Sequence, residues 1–402
     1  MMSAASATSV ASPTTARVNR ITIVVASLAG GGAERVAIDL CRYLRDSGRE
    51  ITLLTLNGDD PDAYLVPEGI RRERLDIRRA AASPLDSIWF TADHLAAMRR
   101  RIVSTRPDAA VSFVDQTNVR TIACLLGSGI PVIVAERTHP GHHPLSRVWQ
   151  VARKLTYPLA DAVVVQTEDV AAWIRRQTRV KRLVVISNAA RYDEDLRQCD
   201  RTDSTGIAVR PLVLGVGRMT REKGFDLLLE AFHRSRLAES GWHLAIAGEG
   251  VERAALLEQA VSLGIANALT LPGRVNDVGR WLAMSDIFVL PSRYEGFPNA
   301  LIEAMQMGRP CVSFDCPSGP RDLVEDGRNG LLVKAEDVNG LSLALRRLAS
   351  DPELRRRLGA EASRVAREFS PASVYGKWLA LIDAVVAGNA VFPSGPGAAS
   401  GD

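Results

Sequence analysis

Short apolar runs alternate with longer amphipathic stretches along most of this chain. A β-branched run at 21–26 predicts a buried strand. Val36, Ala37, Leu40, Cys41 and Leu44 then recur at helical spacing up to Gly48, and 51–56 predicts a second strand. Runs at 110–114, 131–135, 162–166 and 183–186 predict further strands, with helical stretches at 119–126 and 169–177. The apolar period is lost over 191–210, where Asp193, Glu194, Asp195, Asp200 and Asp203 accompany Ser204, Thr205 and Gly206. That composition predicts a linker. The alternation restarts with strands at 212–216, 243–247 and 287–291, a helix at 225–232, and a helical pattern running to Met307. Val374, Trp378, Leu381 and Val385 mark one buried stripe on a last helix over 371–387. Repeated β–α alternation in two blocks predicts two Rossmann-like, doubly wound α/β domains with parallel sheets. Ligands of such sheets gather at the carboxyl ends of the strands. The expected organisation is a disordered tail at 1–18, a domain at 19–190, the linker at 191–210, a second domain at 211–370, the helix at 371–387 and a tail at 388–402.

Composition narrows the class. A length of 402 residues suits two domains, and 46% hydrophobic with 24% charged residues describes a soluble globular chain. Residues 1–18 are mostly Ser, Ala and Thr, without the pattern of a secretory leader, and no apolar run approaches the ~20 residues of a membrane span. The net charge of +4 does not point to nucleic acid. Cys41, Cys124, Cys199, Cys311 and Cys316 show no C-x-x-C spacing, so they read as reduced thiols of a cytoplasmic protein. Trp89 and Phe90 lead into a helical stretch ending in Met98, Arg99, Arg100 and Arg101, with Arg71, Arg72, Arg78 and Arg79 upstream. Aromatics beside arginines fit a helix resting on an anionic bilayer, although a solvated face is the commoner outcome.

Four loops carry candidate chemistry. Gly30, Gly31 and Gly32 follow the first strand and open a helix, which suits a phosphate or a plain tight turn. Arg35 stands where a dinucleotide motif needs its third glycine, and no Walker lysine follows. The loop 136–144 contains Glu136, Arg137 and three histidines, His139, His142 and His143. Those histidines lack the helical spacing of a metal site, so a hydrogen-bonding role for His139 or Arg137 at a substrate is expected instead. Arg218 and Lys223 lie on a loop between a strand and a helix, where two cations and a helix N-terminus suit a diphosphate. Glu295 and Glu303 flank the turn of Gly296, Phe297, Pro298 and Asn299, and no D-x-D pattern holds a divalent ion nearby.

In this order and spacing, Gly31-Gly32-Ala33-Glu34-Arg35-Val36, Asp161-Ala162-Val163-Val164-Val165-Gln166-Thr167, Gly217-Arg218 with Lys223-Gly224, Gly248-Glu249-Gly250, Gly273-Arg274-Val275 and Glu295 separated by seven residues from Glu303 resemble the retaining glycosyltransferases of family 4, with the GT-B fold of two domains facing a cleft. The string Phe314-Asp315-Cys316-Pro317-Ser318-Gly319-Pro320-Arg321 looks like the subgroup that adds N-acetylhexosamines to lipid-linked or surface-polysaccharide precursors. The resemblance implies a UDP-linked hexose or N-acetylhexosamine donor, a lipid-linked glycan or polysaccharide acceptor, no divalent metal or other cofactor, no nucleic acid, and a cytoplasmic enzyme in peripheral contact with the inner face of the plasma membrane. Arg218 and Lys223 would grip the diphosphate beside Gly217. Glu303 would bind the ribose. Glu295 with Gly296, Phe297, Pro298 and Asn299 would hold the sugar. Arg274 and Val275 would lie along the base, with Gly248 and Glu249 beside the donor. Gly31 and Gly32 would meet phosphate across the cleft, and the last helix would cross back onto the first domain. Arg218, Lys223, Glu295 and His139 are the expected catalytic set, acting by front-face substitution. A nucleotide-sugar epimerase or hydrolase on the same fold and a non-catalytic binding protein are the alternatives. A dinucleotide oxidoreductase is disfavoured by Arg35 and by the weak ribose-binding pattern of Asn57, Asp59 and Asp60.

Overall fold

The computed structural model describes residues 20–57, 62–75, 84–141, 145–190, 211–275 and 277–389, without the side chains of 84–91. The expected linker, most of both tails, His142, His143, Arg78, Arg79 and Cys199 lie outside the described residues. Two parallel sheets organise the rest. The first takes β1 (Arg20–Val25), β2 (Glu50–Thr55), β3 (Arg71–Arg74), β4 (Ala109–Phe113), β5 (Val132–Ala135), β6 (Ala162–Val165) and β7 (Leu183–Val185) in the order β3-β2-β1-β4-β5-β6-β7. The second takes β8 (Leu212–Val216), β9 (His243–Ala247), β10 (Leu269–Gly273), β11 (Ile287–Leu290), β12 (Cys311–Asp315) and β13 (Leu331–Lys334) in the order β10-β9-β8-β11-β12-β13. In each sheet the order reverses beside its first strand, between β1 and β4 and between β8 and β11. That is where a doubly wound sheet opens a crevice for a ligand.

Both faces of each sheet are covered, which is why the central strands are apolar throughout rather than alternating. On one face of the first sheet lie α1 (Gly32–Asp46) and α13 (Pro371–Val386). On the other lie α2 (Pro84–Ser104), α3 (Asp115–Leu125), α4 (Arg147–Thr156) and α5 (Glu168–Gln177). The second sheet is covered on one face by α6 (Phe225–Ser235), α7 (Arg253–Ser262) and α11 (Val338–Ser350). Its other face packs α8 (Val278–Met284), α9 (Asn299–Gln306) and part of α12 (Pro352–Arg367).

The last helix belongs to the first core although it follows the second domain in sequence. Val374, Tyr375, Trp378, Leu381, Ile382 and Val385 pack with Ile21, Leu40 and Phe113. The Trp378 ring is fully buried, 5.7 Å from that of Phe113. Ser370 caps the helix by accepting from the Ser373 amide, and Pro371 at its first position needs no donor. Arg49 donates to both oxygens of Asp383 at the far end.

Two local expectations differ. α3 starts at Asp115, not 119, because its polar first turn is buried: Asn118 bonds the Ala135 carbonyl, Ser112 and Tyr157. The arginines at 71–74 form an edge strand, with Arg72 and Arg74 paired to Asp62 and Arg71 to Glu73. Arg101 of α2 also reaches Glu73, and Arg99 donates to the carbonyls of Cys124 and Leu126. Most of the basic cluster read from the sequence is therefore engaged within the domain. Cys41, Cys124, Cys311 and Cys316 are free and buried, and burial pushes the thiols of Cys124 and Cys316 up to about 12.

Candidate active site

The second domain's floor is built by three loops, after β8, β9 and β10, that lock together through backbone. Gly217 donates to the Ala247 carbonyl, Gly248 to that of Gly273, and Met219 to that of Glu249. The glycines are needed for this approach. A Cβ on Gly248, already at φ 149, would lie 1.8 Å from the Gly217 oxygen, and one on Gly250 would lie 2.2 Å from the Met219 oxygen. The loop after β8 then makes a tight turn through Arg221–Lys223. Gly224 ends it at φ 66, pressed so closely on Pro291 that a Cβ would sit 2.0 Å from the proline carbonyl. This contact fixes where Lys223 points.

Lys223 meets Glu295. Its Nζ donates to both carboxylate oxygens at 2.8 and 2.9 Å, and the Ser292 hydroxyl donates to Oε1 at 2.6 Å. Glu295 is 6% exposed, and its amide is fixed by the Pro317 carbonyl. Arg218, by contrast, is 77% exposed, with Glu222 at 3.4 Å. Its guanidinium stands at the mouth of the same loop. Glu303 lies on the second turn of α9 and is buried.

The first domain closes the other side. Arg35, on the first turns of α1, pairs with Glu303 at 3.2 Å. Asn188, just past β7, donates to the Asn299 side chain at 2.6 Å. Thr167 and Ser318 share a hydroxyl bond of 2.9 Å. Gly296 lies against the Arg137 carbonyl, 2.8 Å from where its Cβ would be, and a Cβ on Gly32 would meet Asn299 at 3.6 Å. Arg274 reaches across so that its guanidinium is 4.0 Å from the position of a Cβ on Gly30. Gly31 begins α1 at its N-cap, and Gly32 is the helix's first residue. The turn of Gly296, Phe297, Pro298 and Asn299 is thus gripped from both sides, with Phe297 buried and 6.2 Å from the Phe369 ring. Gly217, Gly248, Glu249, Arg274 and Val275 line the far half of the cleft floor on the loops described above.

His139 turns into its own domain. Its Nε2 lies 3.2 Å from Asp169 and its Nδ1 accepts from the Gly141 amide, while Trp173 meets the ring edge-on. Arg137 is buried over the Phe113 ring and donates to Asn188. Burial pulls its guanidinium down to about 10, with Tyr375 acting the other way. Beneath it, Glu136 accepts from Tyr157 at 2.6 Å and faces Arg153 at 3.5 Å. Burial pushes this carboxyl up to about 7. Three contact residues escaped the sequence reading: Arg35, Asn188 and Ser292. Only Arg35 left a signal, as the departure from a dinucleotide motif. No cluster of metal-ligating side chains occurs among the described residues.

Two family models match the chain: the one described as "Glycosyl transferase 4-like domain" over residues 31–189, and the one described as "Glycosyl transferases group 1" over 210–351. With both sheets matched, the chain belongs to the glycosyltransferases of the family 4 type, enzymes of the GT-B fold. It is 26% identical over 368 residues to the GalNAc-alpha-(1->4)-GalNAc-alpha-(1->3)-diNAcBac-PP-undecaprenol alpha-1,4-N-acetyl-D-galactosaminyltransferase of Campylobacter jejuni, covering 90% of this chain and 98% of that one. It is also 26% identical over 351 residues to the amylovoran biosynthesis glycosyltransferase AmsD of Erwinia amylovora, covering 87% of this chain and 95% of that one. Among solved structures, sucrose-phosphate synthase from Thermosynechococcus elongatus superposes with a TM-score of 0.80 at 18% identity, over 92% of this chain and all of that one. HepE from Anabaena, in complex with UDP-glucose, superposes with a TM-score of 0.72 at 19% identity, over 89% and 97%.

Proposed function

We propose that the enzyme moves a hexose or N-acetylhexosamine from a UDP-linked donor to a lipid-linked or polysaccharide acceptor, with retention and without a metal. The observation that carries this reading is the Lys223–Glu295 pair at the switch point of the second sheet, inside a floor of close-packed glycine loops. A partly exposed cation already held by a buried carboxylate has a ready partner to exchange: a diphosphate takes Lys223, and Glu295 is released toward sugar hydroxyls. Arg218 at the loop mouth adds a second cation. The glycines let the backbone approach the phosphates, and Glu303 exchanges Arg35 for the ribose. Glu295 serves sugar hydroxyls in this reading rather than attacking the anomeric carbon, so the leaving phosphate oxygen takes the acceptor's proton. Lys223, Arg218 and the helix N-termini stabilise the charge that develops. His139 has a catalytic part only if its imidazole leaves Asp169; in its present position it braces the loop that carries Arg137 against Gly296. The similarity to a transferase named for an undecaprenol-diphosphate glycan favours an acceptor of that chemistry. A UDP complex of a protein with the same fold favours the uridine base.

A purified-enzyme assay tests this. UDP-, GDP- and ADP-sugars are first screened by thermal shift, since a bound donor raises stability by mass action. The stabilising donor is then offered with polyprenyl-diphosphate glycan acceptors in the presence of a chelator, and the anomeric configuration of the product is read by NMR. Transfer with retention in chelator is the expected result. Inversion, chelator-sensitive turnover, or free sugar and epimerised donor as the only products would overturn it.

A further inference from the structure

Several of the most exposed aliphatic side chains among the described residues fall on one short stretch. Val148, Val151, Leu155 and Leu159 are 76, 57, 67 and 45% exposed. The first three are on α4, where 3.6 residues per turn puts them within about 60° of one another around the axis. Leu159 extends the line in the single turn Tyr157–Leu159. The packing face of α4 is the other one: Trp149 and Ala152 join the core with Trp173, and Arg153 is buried against Glu136. A helix that already has its core face and still turns a row of aliphatics outward presents a surface that something covers.

The rim of this row is basic. Arg147 and Lys154 are exposed on α4 beside it. Thr178 donates to the Lys154 carbonyl and Lys181 to the Leu159 carbonyl, so the segment bearing Arg179 and Lys181 runs alongside. Lys181 also faces Asp161 at 3.2 Å. Residues 145–182 hold eight Lys and Arg against three Asp and Glu, while the whole chain holds 50 against 46. This one stretch therefore carries a larger positive excess than the entire protein. The arginines of α2 and β3, in contrast, are largely spent on Asp62, Glu73 and backbone carbonyls. α4 also starts just beyond the loop of Arg137 and His139, so the row leads away from the cleft along the first domain.

We propose that the α4 row is the face on which the protein rests on an anionic lipid bilayer. Val148, Val151, Leu155 and Leu159 enter the interfacial region, and Arg147, Lys154, Arg179 and Lys181 meet lipid phosphates. The purpose of such docking, bringing the cleft to a lipid-anchored acceptor, rests on the function proposed above; the test does not. The full chain is sedimented with vesicles of phosphatidylglycerol and phosphatidylethanolamine, and with phosphatidylcholine vesicles as the neutral control. Binding is expected to the anionic vesicles, to weaken with salt, and to fall by about tenfold or more in the V151E/L155E variant. V151S/L155S, which adds no charge, is expected to fall between the two while keeping the wild-type melting temperature. The proposal is overturned if wild type ignores anionic vesicles or if both variants bind as wild type does. It is equally overturned if wild type is a dimer that V151E/L155E converts to monomer, which makes a second copy the cover. Transfer to a water-soluble acceptor, measured separately, is expected to survive in both variants; its absence in wild type would count against the proposed reaction and leave the vesicle result standing.

Discussion

Lys223, on the loop after β8, grips both oxygens of Glu295, on the loop after β11, across the point where the strand order of the second sheet reverses. Neighbouring strands in that sheet lie far apart in sequence, so 72 residues separate two side chains in direct contact. In the proposed reaction these two groups act apart, one on the diphosphate and one on the sugar.

Removing the cation is expected to act on the chemical step. Lys223→Ala should lower kcat about a hundredfold, the cost of roughly 3 kcal/mol of electrostatic stabilisation. Arg218→Ala should act in the same direction. Steady-state kinetics with a purified donor and acceptor checks both, and near-normal turnover in either variant removes that residue from the diphosphate site.

The two glutamates are expected to separate kinetically. Glu303→Gln should weaken donor binding, raising KM about tenfold for the loss of one charge-assisted hydrogen bond. Glu295→Gln should mainly lower kcat. Isothermal titration with donor and initial-rate kinetics give the two numbers; equal effects on both parameters from both variants would undo the division of labour.

Gly248→Ala is expected to disturb the floor itself. The new methyl would overlap the Gly217 carbonyl, and φ 149 is itself unfavourable for alanine. A loss of stability of about 2 kcal/mol or more should appear in denaturant melts, accompanied by weaker donor binding. A substitution at Gly127, which has open space around it, is the control for backbone strain alone.

Glu136 makes stability depend on pH. Burial raises its carboxyl to about 7, and Arg153 and the Tyr157 hydroxyl oppose the shift. The folded protein keeps a proton that the unfolded chain releases at the ordinary carboxylate value. This contribution is therefore full below about pH 4.5 and is lost as the pH rises to about 7. The whole shift corresponds to about 3 kcal/mol. Glu136→Gln should flatten the melting temperature over that range, as a pH series of thermal melts would show; an unchanged slope would assign it to other groups.

The two-domain architecture could be read from the chain because parallel strands buried on both faces leave continuous β-branched runs such as 21–26 and 287–291. The contact of Lys223 with Glu295 was approachable from the sequence because each sits on a turn whose glycine, Gly224 or Gly296, leaves a local mark. What bridges the cleft left no such mark. Arg35 looked like a failed glycine, and its meaning depends on Glu303, 268 positions later in the numbering and brought near only by the fold. Asn188 and Ser292 are ordinary loop residues until Asn299 and Glu295 stand beside them. The outward row on α4 was missed for a different reason. Its apolar spacing is that of a core-facing helix, and periodicity alone does not say which side the core is on. The short strand β3 was hidden because it lies on an edge, where arginines are tolerated and guard against further pairing.

Trp378 also sets a condition on the order of assembly. Chains emerge from the ribosome amino end first, and domains ordinarily close as they appear. Here the first sheet has to wait, because the side chains that seal one of its faces, from Val374 to Val385, are among the last to be made. Until then Phe113 and the inner side of α1 have no lid. The first domain is therefore completed only when the second has been synthesised, and a fragment ending near residue 190 is expected to be a poor folder, with an open apolar groove in place of a finished surface.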